Sequence, residues 1–168
     1  MCCRWRVLVA AVAIAALMAG GGLYNQSTRA AAALTAQDIQ EITQLYSTMY
    51  QGSDLRDADM WLSTLADDAV FQQPTGEKVI GRKALAEWRV KSFGGKTGDS
   101  KRRHWFGLIR ALPAPNGGAT VKAYHSVLDV SKKPAMIMAT GTVDDVFVKT
   151  AAGWKFKVHA VYLDTPGE

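Results

Sequence analysis

The apolar positions of this chain form three patterns that follow one another along the sequence. Apolar residues run without interruption from Val7 to Ala19. From His104 onward, apolar and polar residues mostly alternate. Between these parts, apolar residues recur every three or four positions on one helical face: Ile39, Ile42, Tyr46, Met49 and Tyr50. A period near 3.6 indicates a helix and a period of two indicates a strand, so helices are expected to precede strands.

Residues that favour helix ends place two helices early in this region. Thr35, followed three residues later by Asp38, predicts a capping box at the start of the first helix. Gly52 predicts its end. Asp57 is a typical N-cap for a second helix, which Asp67-Asp68 is expected to close.

Strands then dominate the remainder of the chain. Short strands are predicted at 70–71 and 79–80, on either side of a Pro-Thr-Gly turn, and a third helix is predicted at 82–90. Four longer strands are predicted at 104–112, 119–130, 136–149 and 154–163. Short turns link these long strands, so neighbours are expected to pair antiparallel. The order predicts an α+β domain in which about three N-terminal helices cover one face of a curved antiparallel sheet and enclose a pocket.

The N-terminal apolar run has the features of a secretory signal peptide. Arg4 and Arg6 precede it, Gly20–Gly22 interrupts it, and Ala30–Ala33 offers the small residues that a signal peptidase requires. A membrane span needs about 20 apolar residues, and this run is shorter, although an uncleaved anchor is the alternative. We therefore expect residues 1–33 to be removed and residues 34–168 to form one periplasmic or secreted domain.

Removal of this segment changes the composition that matters for function. Cys2 and Cys3 would be lost, which excludes disulfides and thiolate chemistry. Of 20 Lys and Arg, three lie before residue 34, which leaves 17 against 15 Asp and Glu, a net charge of +2. This balance gives no argument for nucleic-acid binding. The one basic cluster, Lys101-Arg102-Arg103, is more typical of a solvated loop than of an anion site.

Short motifs spread along the chain resemble the nuclear-transport-factor-2-like superfamily. The segment SDLRDADMWLSTLADDAVF, residues 53–71, is similar to the helix-turn-helix-strand segment of its SnoaL-like and scytalone-dehydratase-like branch. Further similar pieces are Gly81-Arg82-Lys83-Ala84-Leu85, Arg103-His104, residues 141–145 and Gly153-Trp154-Lys155-Phe156. The resemblance implies a cone-shaped α+β barrel around a central pocket for a small apolar organic ligand. It also implies a homodimer packed through the sheet.

Three polar residues are the candidates for catalysis. Asp54, His104 and His125 resemble the aspartate and two histidines that surround a bound water in scytalone dehydratase. A histidine held by a carboxylate can remove a proton alpha to a carbonyl while a second group protonates the leaving oxygen. Each residue also has a structural interpretation, since Asp54 could cap a helix and the two histidines could be hydrogen-bonded core residues. The dehydratase's catalytic tyrosines have no clear counterpart in this sequence.

Aromatic side chains are the candidates for the pocket wall. The residues expected to contact a ligand are Tyr46, Tyr50, Trp88 and Phe106. Trp61, Trp105 and Trp154 are expected in the core or pocket wall. His159, in a row with Lys155 and Lys157, is expected at the surface, as are Asp144 and Asp145.

The histidines form no short spacing motif, so neither a metal nor a cofactor is expected. Two functions stay open: a lyase or isomerase that uses Asp54 and His104, and a non-catalytic domain that binds a ligand or a protein.

Overall fold

The computed structural model describes residues 32–165, and three α-helices occur within this range. They are α1 (Ala36–Asp54), α2 (Ala58–Ser63) and α3 (Arg82–Ser92). The capping box at the start of α1 is confirmed, because Thr35 and Asp38 exchange side-chain and backbone hydrogen bonds. Asp57 caps α2 by accepting a hydrogen bond from the Met60 backbone amide at 2.8 Å. The predicted helices are thus present, with ends within a few residues of those expected.

Six strands form one curved sheet. They are β1 (Leu65–Gln72), β2 (Lys78–Ile80), β3 (Arg102–Pro113), β4 (Ala119–Asp129), β5 (Met136–Thr150) and β6 (Gly153–Leu163). Their order across the sheet is β2-β1-β6-β5-β4-β3. All neighbouring pairs are antiparallel except β1 and β6, which are parallel. The α+β class is confirmed, and the parallel pair corrects the expectation of a wholly antiparallel sheet.

Two boundaries differ from the sequence prediction for physical reasons. Gly52 does not end α1, which continues to Asp54. A Cβ at Gly52 would lie 2.8 Å from the Trp61 backbone nitrogen, so this glycine permits the close approach of α1 and α2. Asp67 and Asp68 do not close α2 but lie within β1, where both side chains are exposed.

The core lies between α1 and the inner face of the sheet. The helical face predicted from spacing is buried, since Ile42, Tyr46, Met49 and Tyr50 are all within the core. Trp61 and Trp154 are buried as expected. Trp105 is not a core residue, because it lies on the outer face of β3 and is 64% exposed. The alternation of β3 explains this, since its neighbours His104 and Phe106 face inward.

The predicted signal peptide, residues 1–33, lies outside the described residues apart from its last two positions. The predicted signal peptide, with Cys2 and Cys3, therefore stays a sequence-based expectation. Within residues 32–165, none of the helices combines the length and apolar character that a membrane crossing requires.

Candidate functional site

A pocket of about 630 Å³ opens between the C-terminal end of α1, α3 and the inner face of the sheet. Lys96, Arg102 and Met138 are exposed and lie at its mouth. Its inner wall combines aromatic, aliphatic and polar side chains, including Tyr50, Ser53, Trp61, Phe71, Arg89, His104, His125, Val127, His159 and Val161. Residues distant in sequence therefore meet around one concave site, and His104 and His125 are among them.

His104 lines this pocket and forms a direct pair with Asp54, which lies outside the pocket lining. The Asp54 Oδ1 atom lies 2.6 Å from His104 Nδ1, and Asp54 Oδ2 accepts a hydrogen bond from the His104 backbone amide at 3.0 Å. The side chains are 10% and 20% exposed, respectively. Both carboxylate oxygens are thus engaged by one residue, which fixes the orientation of the imidazole. His104 Nε2 makes no hydrogen bond with the described residues and is left for a ligand.

The local fold brings this pair together from residues 50 positions apart. Asp54 is the last residue of α1, and its backbone carbonyl accepts a hydrogen bond from Ser100 at 2.7 Å. This bond holds the segment before β3 against the helix end. Arg56, which has a positive φ of 54°, donates to the Gly98 and Asp99 carbonyls and ties down the same segment. His104 follows as the third residue of β3.

Stacked aromatic rings connect the two histidines. The Tyr50 ring stacks on His104 with centroids 5.0 Å apart and on Phe106 with centroids 4.0 Å apart. Phe106 in turn stacks on His125 at 5.4 Å. The order His104, Tyr50, Phe106, His125 gives each imidazole a rigid apolar support, which limits its rotation within the pocket.

His125 is buried on the inner face of β4, as the alternation of that strand predicts. It is 7% exposed, and neither ring nitrogen has a hydrogen-bond partner among residues 32–165. Gly141 on β5 is its direct neighbour, and a Cβ there would lie 2.8 Å from His125 Nε2. Burial lowers the pKa of His125, and the nearby His104 and His159 lower it further. The Tyr162 carbonyl and Asp164 partly oppose this shift, although the carbonyl does not meet hydrogen-bond geometry with either ring nitrogen. The ring is therefore neutral at pH 7, so one ring nitrogen can donate a hydrogen bond and the other can accept one.

A second polar network under α1 was not predicted from the sequence. Asp145 and His159 were expected at the surface, but they are only 2% and 1% exposed. His159 Nδ1 lies 2.8 Å from Asp145 Oδ1, and His159 Nε2 lies 2.8 Å from the Tyr50 hydroxyl. The Tyr46 hydroxyl donates to Asp145 Oδ2. The network joins the helix to β5 and β6 and reaches the pocket through Tyr50 and His159.

A β-bulge accounts for the wrong prediction at His159. The register between β5 and β6 shifts after the pair Val146–Val158, so that Phe147 pairs with Phe156. Lys157 is the extra residue, and the shift turns both Phe156 and His159 toward the core. Asp145 could have been found from the sequence, because Val143, Asp145 and Phe147 alternate along one inward face.

The two tyrosines of this network remain protonated. Burial raises the pKa of Tyr46 and of Tyr50 well above the ordinary value, and the nearby Asp145 carboxylate raises both further. Each hydroxyl is therefore a hydrogen-bond donor in the physiological range. Tyr50 can orient His159 but does not supply a phenolate.

Only one of the four aromatic residues expected to contact a ligand lines the 630 Å³ pocket. That residue is Tyr50. Tyr46 and Phe106 stack with their centroids 5.2 Å apart, and they line a smaller depression between α1 and β3, which Asp54 and His104 also line. Trp88 packs on Phe71 at 4.8 Å and on Trp61 at 6.1 Å.

Arg89 is a pocket residue that sequence analysis missed. Its guanidinium lies over Trp61 at 4.4 Å and over Phe93 at 4.8 Å, and its Nη2 donates to the Ser53 hydroxyl. Burial lowers the pKa of Arg89 to about 10, which leaves it cationic at neutral pH. No sequence motif marks Arg89, because its surroundings come from α1, α2 and the segment after α3.

Among residues 32–165, His, Asp and Glu form no group of three or more that could hold a metal ion. His104 and His159 each pair with a single carboxylate, and the ring of His125 lines the pocket without a partner among these residues.

This fold and site define a class of small α+β domains with an internal polar pocket. The SnoaL-like domain family matches residues 34–159, so the chain belongs to that family. The resemblance found in the sequence is thereby confirmed at the level of the family. None of the curated proteins shows a significant match to the chain.

Solved structures share the fold at low sequence identity. A protein of unknown function with a cystatin-like fold from Nostoc punctiforme is 21% identical, with a TM-score of 0.68 over 78% of this chain and 94% of that chain. ActVI-ORFA from Streptomyces coelicolor is 24% identical, with a TM-score of 0.66 over 75% of this chain and 97% of that chain. A Catenulispora acidiphila structure in complex with S-DNPA is 21% identical, with a TM-score of 0.65 over 77% and 96%.

Proposed function

We propose that the pocket binds a small organic molecule and that Asp54 and His104 act on it by general acid–base catalysis. The observation that carries this proposal is that His104, which lines the 630 Å³ pocket, is held by Asp54 through a 2.6 Å contact between Asp54 Oδ1 and His104 Nδ1. A carboxylate on Nδ1 holds the tautomer in which Nε2 carries the lone pair. His104 Nε2 is then the base, and the Asp54 carboxylate stabilises the imidazolium that forms.

The reaction class that fits this pair is proton transfer next to a carbonyl. His104 Nε2 takes the proton from the carbon alpha to a ligand carbonyl as the C–H bond breaks. The electron pair moves into a C=C bond, and negative charge develops on the carbonyl oxygen. Reprotonation at another carbon gives an isomerase, and loss of a β-hydroxyl as water gives a lyase. Neither outcome requires a metal or redox cofactor.

His125 is suited to receive the oxygen of the same ligand. Its ring is buried and neutral, and its nitrogens have no partner among the described residues. A neutral imidazole N–H in a dry site can donate to a developing oxyanion without the cost of reorganising solvent. His104 and His125 lie apart, with Tyr50 and Phe106 between them. His104 can therefore act as the base on one part of a ligand while His125 donates a hydrogen bond to another part.

A non-catalytic binding domain is the alternative function. Apart from its polar residues, the pocket is walled by Trp61, Phe71, Val127 and Val161, which suit a flat apolar skeleton. In this case Asp54 would serve only to hold the start of β3 through His104. The two functions differ in whether a bound carbonyl compound exchanges its α-protons.

The first prediction concerns this exchange, with 2-tetralone in D2O as the probe. We expect the protein to accelerate α-hydrogen exchange, measured by NMR, and His104→Ala and Asp54→Asn to lose about 100-fold or more of the acceleration. Lys122→Ala, on the outer face of the sheet, is the matched control and should keep the wild-type rate. Binding of 2-tetralone without exchange above background would favour the binding-domain alternative. Wild-type exchange in His104→Ala would remove His104 from the mechanism.

Two further expectations accompany this function. We propose that residues 1–33 direct export, on the basis of Arg4, Arg6, the apolar run and the small residues before Leu34.

We also propose a homodimer through the outer face of the sheet. Tyr124 and Tyr162 flank Thr142 in one row of that face, and they are 59% and 45% exposed. Trp105 lies on the same face, and such clusters of aromatic side chains are typical of interfaces.

A further inference from the structure

Buried polar atoms without partners are concentrated at one place in the molecule. Within residues 32–165, three buried side-chain nitrogen or oxygen atoms have no hydrogen-bond partner: Arg89 Nε, His125 Nδ1 and His125 Nε2. Both residues line the 630 Å³ pocket. Leaving a buried donor or acceptor unpaired is costly, and native proteins contain few such groups. Their meeting in one pocket indicates groups that a ligand satisfies.

Arg89 is a partly buried cation that contacts no carboxylate in the described part of the chain, and its Nε atom is buried. No salt bridge to it occurs there, and its side-chain hydrogen bond goes to the neutral Ser53 hydroxyl. Three aromatic rings surround the guanidinium, with centroids at 4.4 Å for Trp61, 4.8 Å for Phe93 and 5.5 Å for Trp88. These rings hold the planar group in place through cation–π contacts. The Asp54 carboxylate favours the charged form of Arg89 from a distance but does not contact it, so the guanidinium has no paired anion.

The remainder of the pocket has the same sign of charge. Its lining includes Arg56, Arg89, Lys96 and Arg102, together with three histidines, and no aspartate or glutamate. Acidic groups close to the pocket are already engaged, since Asp54 is paired with His104 and Asp145 with His159. The Asp99 carboxylate is likewise paired with Lys101 and Arg103. A low-dielectric wall lined by one sign of charge strengthens attraction for the opposite sign.

From these contacts we infer that the ligand of this pocket is an aromatic or polycyclic carboxylic acid whose carboxylate binds Arg89. This inference rests on the proposed function and specifies its ligand class. A carboxylate accepts hydrogen bonds from the planar guanidinium in a fixed geometry, and it supplies the partner that Arg89 Nε lacks. The rings of the acid lie against Trp61 and Phe71, and its carbonyl end faces His104 and His125.

The second prediction compares 2-naphthoate with its neutral amide, 2-naphthamide, as matched probes. Quenching of tryptophan fluorescence in the purified protein measures both dissociation constants. We expect the carboxylate to bind about tenfold tighter or more, because it alone pairs with the Arg89 guanidinium. In Arg89→Met this preference should fall to about threefold or less. Arg102→Met, which removes an exposed cation from the mouth of the same pocket, should keep the wild-type preference.

A direct readout keeps the inference testable if Arg89→Met fails to fold. The NMR signal of the Arg89 Nε–H group should shift on addition of 2-naphthoate and not of 2-naphthamide, while the Arg56 signal stays in place. Equal affinity for the two probes, or loss of the preference in Arg102→Met alone, would overturn the inference and leave pocket binding intact. If neither probe binds, both the inference and the proposed binding function are overturned. If 2-naphthoate binds but the α-protons of 2-tetralone do not exchange, only the proposed catalysis is refuted and the inference about the ligand class stands.

Discussion

At the scale of single residues, His125 shows how burial determines the chemistry of a side chain. An imidazole in water titrates near pH 6.5, within the physiological range. At this position the aromatic and aliphatic surroundings disfavour the charged form, and His104 and His159 add to the effect. The consequence is a histidine that remains neutral where a solvated one would be partly protonated. Such a residue donates a hydrogen bond to a ligand oxygen without a change in charge.

The third prediction follows from the lowered pKa of His125. Below about pH 6.5 the unfolded chain takes up a proton at this residue before the folded protein does, so acidification destabilises the fold. We expect the free energy of unfolding to fall between pH 7.5 and pH 5.5. Because Leu does not titrate, the decrease should be smaller in His125→Leu. Urea unfolding at each pH measures both curves, and identical pH dependence in the two proteins would contradict the assignment.

At the scale of elements, α1 is joined to the sheet by polar contacts as well as by apolar packing. Asp145 on β5 accepts hydrogen bonds from Tyr46 on α1 and from the Ala160 amide on β6, and it contacts His159. A carboxylate in an apolar interior is tolerated only where donors surround it. The network therefore fixes how α1 lies across β5 and β6, and with it the position of Tyr50 at the pocket.

The fourth prediction tests this network at Tyr46. Tyr46→Phe keeps the ring in the core but removes one donor from the buried Asp145 carboxylate. We expect a loss of about 1–3 kcal/mol in the free energy of unfolding, measured by urea denaturation. Ser47→Ala removes a hydroxyl from the exposed face of the same helix and serves as the control with no expected change. Equal stability of Tyr46→Phe and wild type would show that the contact contributes nothing to the fold.

At the scale of the whole molecule, the sheet has two faces of different character. The inner face carries His125, His159 and the core, whereas the outer face presents Trp105, Tyr124 and Tyr162. Exposed aromatic side chains in adjacent rows are unusual on a surface that remains in water. A second copy of the chain would remove them from solvent without closing the pocket, which opens on the other face.

The fifth prediction concerns this proposed dimer. Size-exclusion chromatography with light scattering should give twice the mass of one chain for the wild type. Tyr124→Glu combined with Trp105→Glu should shift the protein to the monomer mass, because two charges would be buried without partners in the interface. Val90→Glu changes an exposed apolar residue on α3, away from the sheet, and should leave the mass unchanged. A monomeric wild type would refute the dimer.

The sequence by itself was sufficient for the elements and for part of the site. Caps, turns and apolar spacing are local properties, so the helices and the four long strands could be predicted to within a few residues. The first strand was predicted less well, because β1 begins at Leu65 and not at Val70. The pairing of Asp54 with His104 was expected from the family resemblance. In the structure the start of β3 lies against the end of α1, which brings the two side chains into contact. The alternation of β4 likewise indicated that His125 faces inward.

Only the tertiary structure decided which other charged groups join the site. His159 is buried because a bulge at Lys157 shifts the register of β6, and a strict period of two cannot anticipate an extra residue. Arg89 has no paired carboxylate because α3 places its guanidinium among the rings of Trp61, Trp88 and Phe93. Local sequence determines the direction in which a side chain points from its element. Burial and charge compensation depend on which other segments pack around that side chain, and those contacts are long-range.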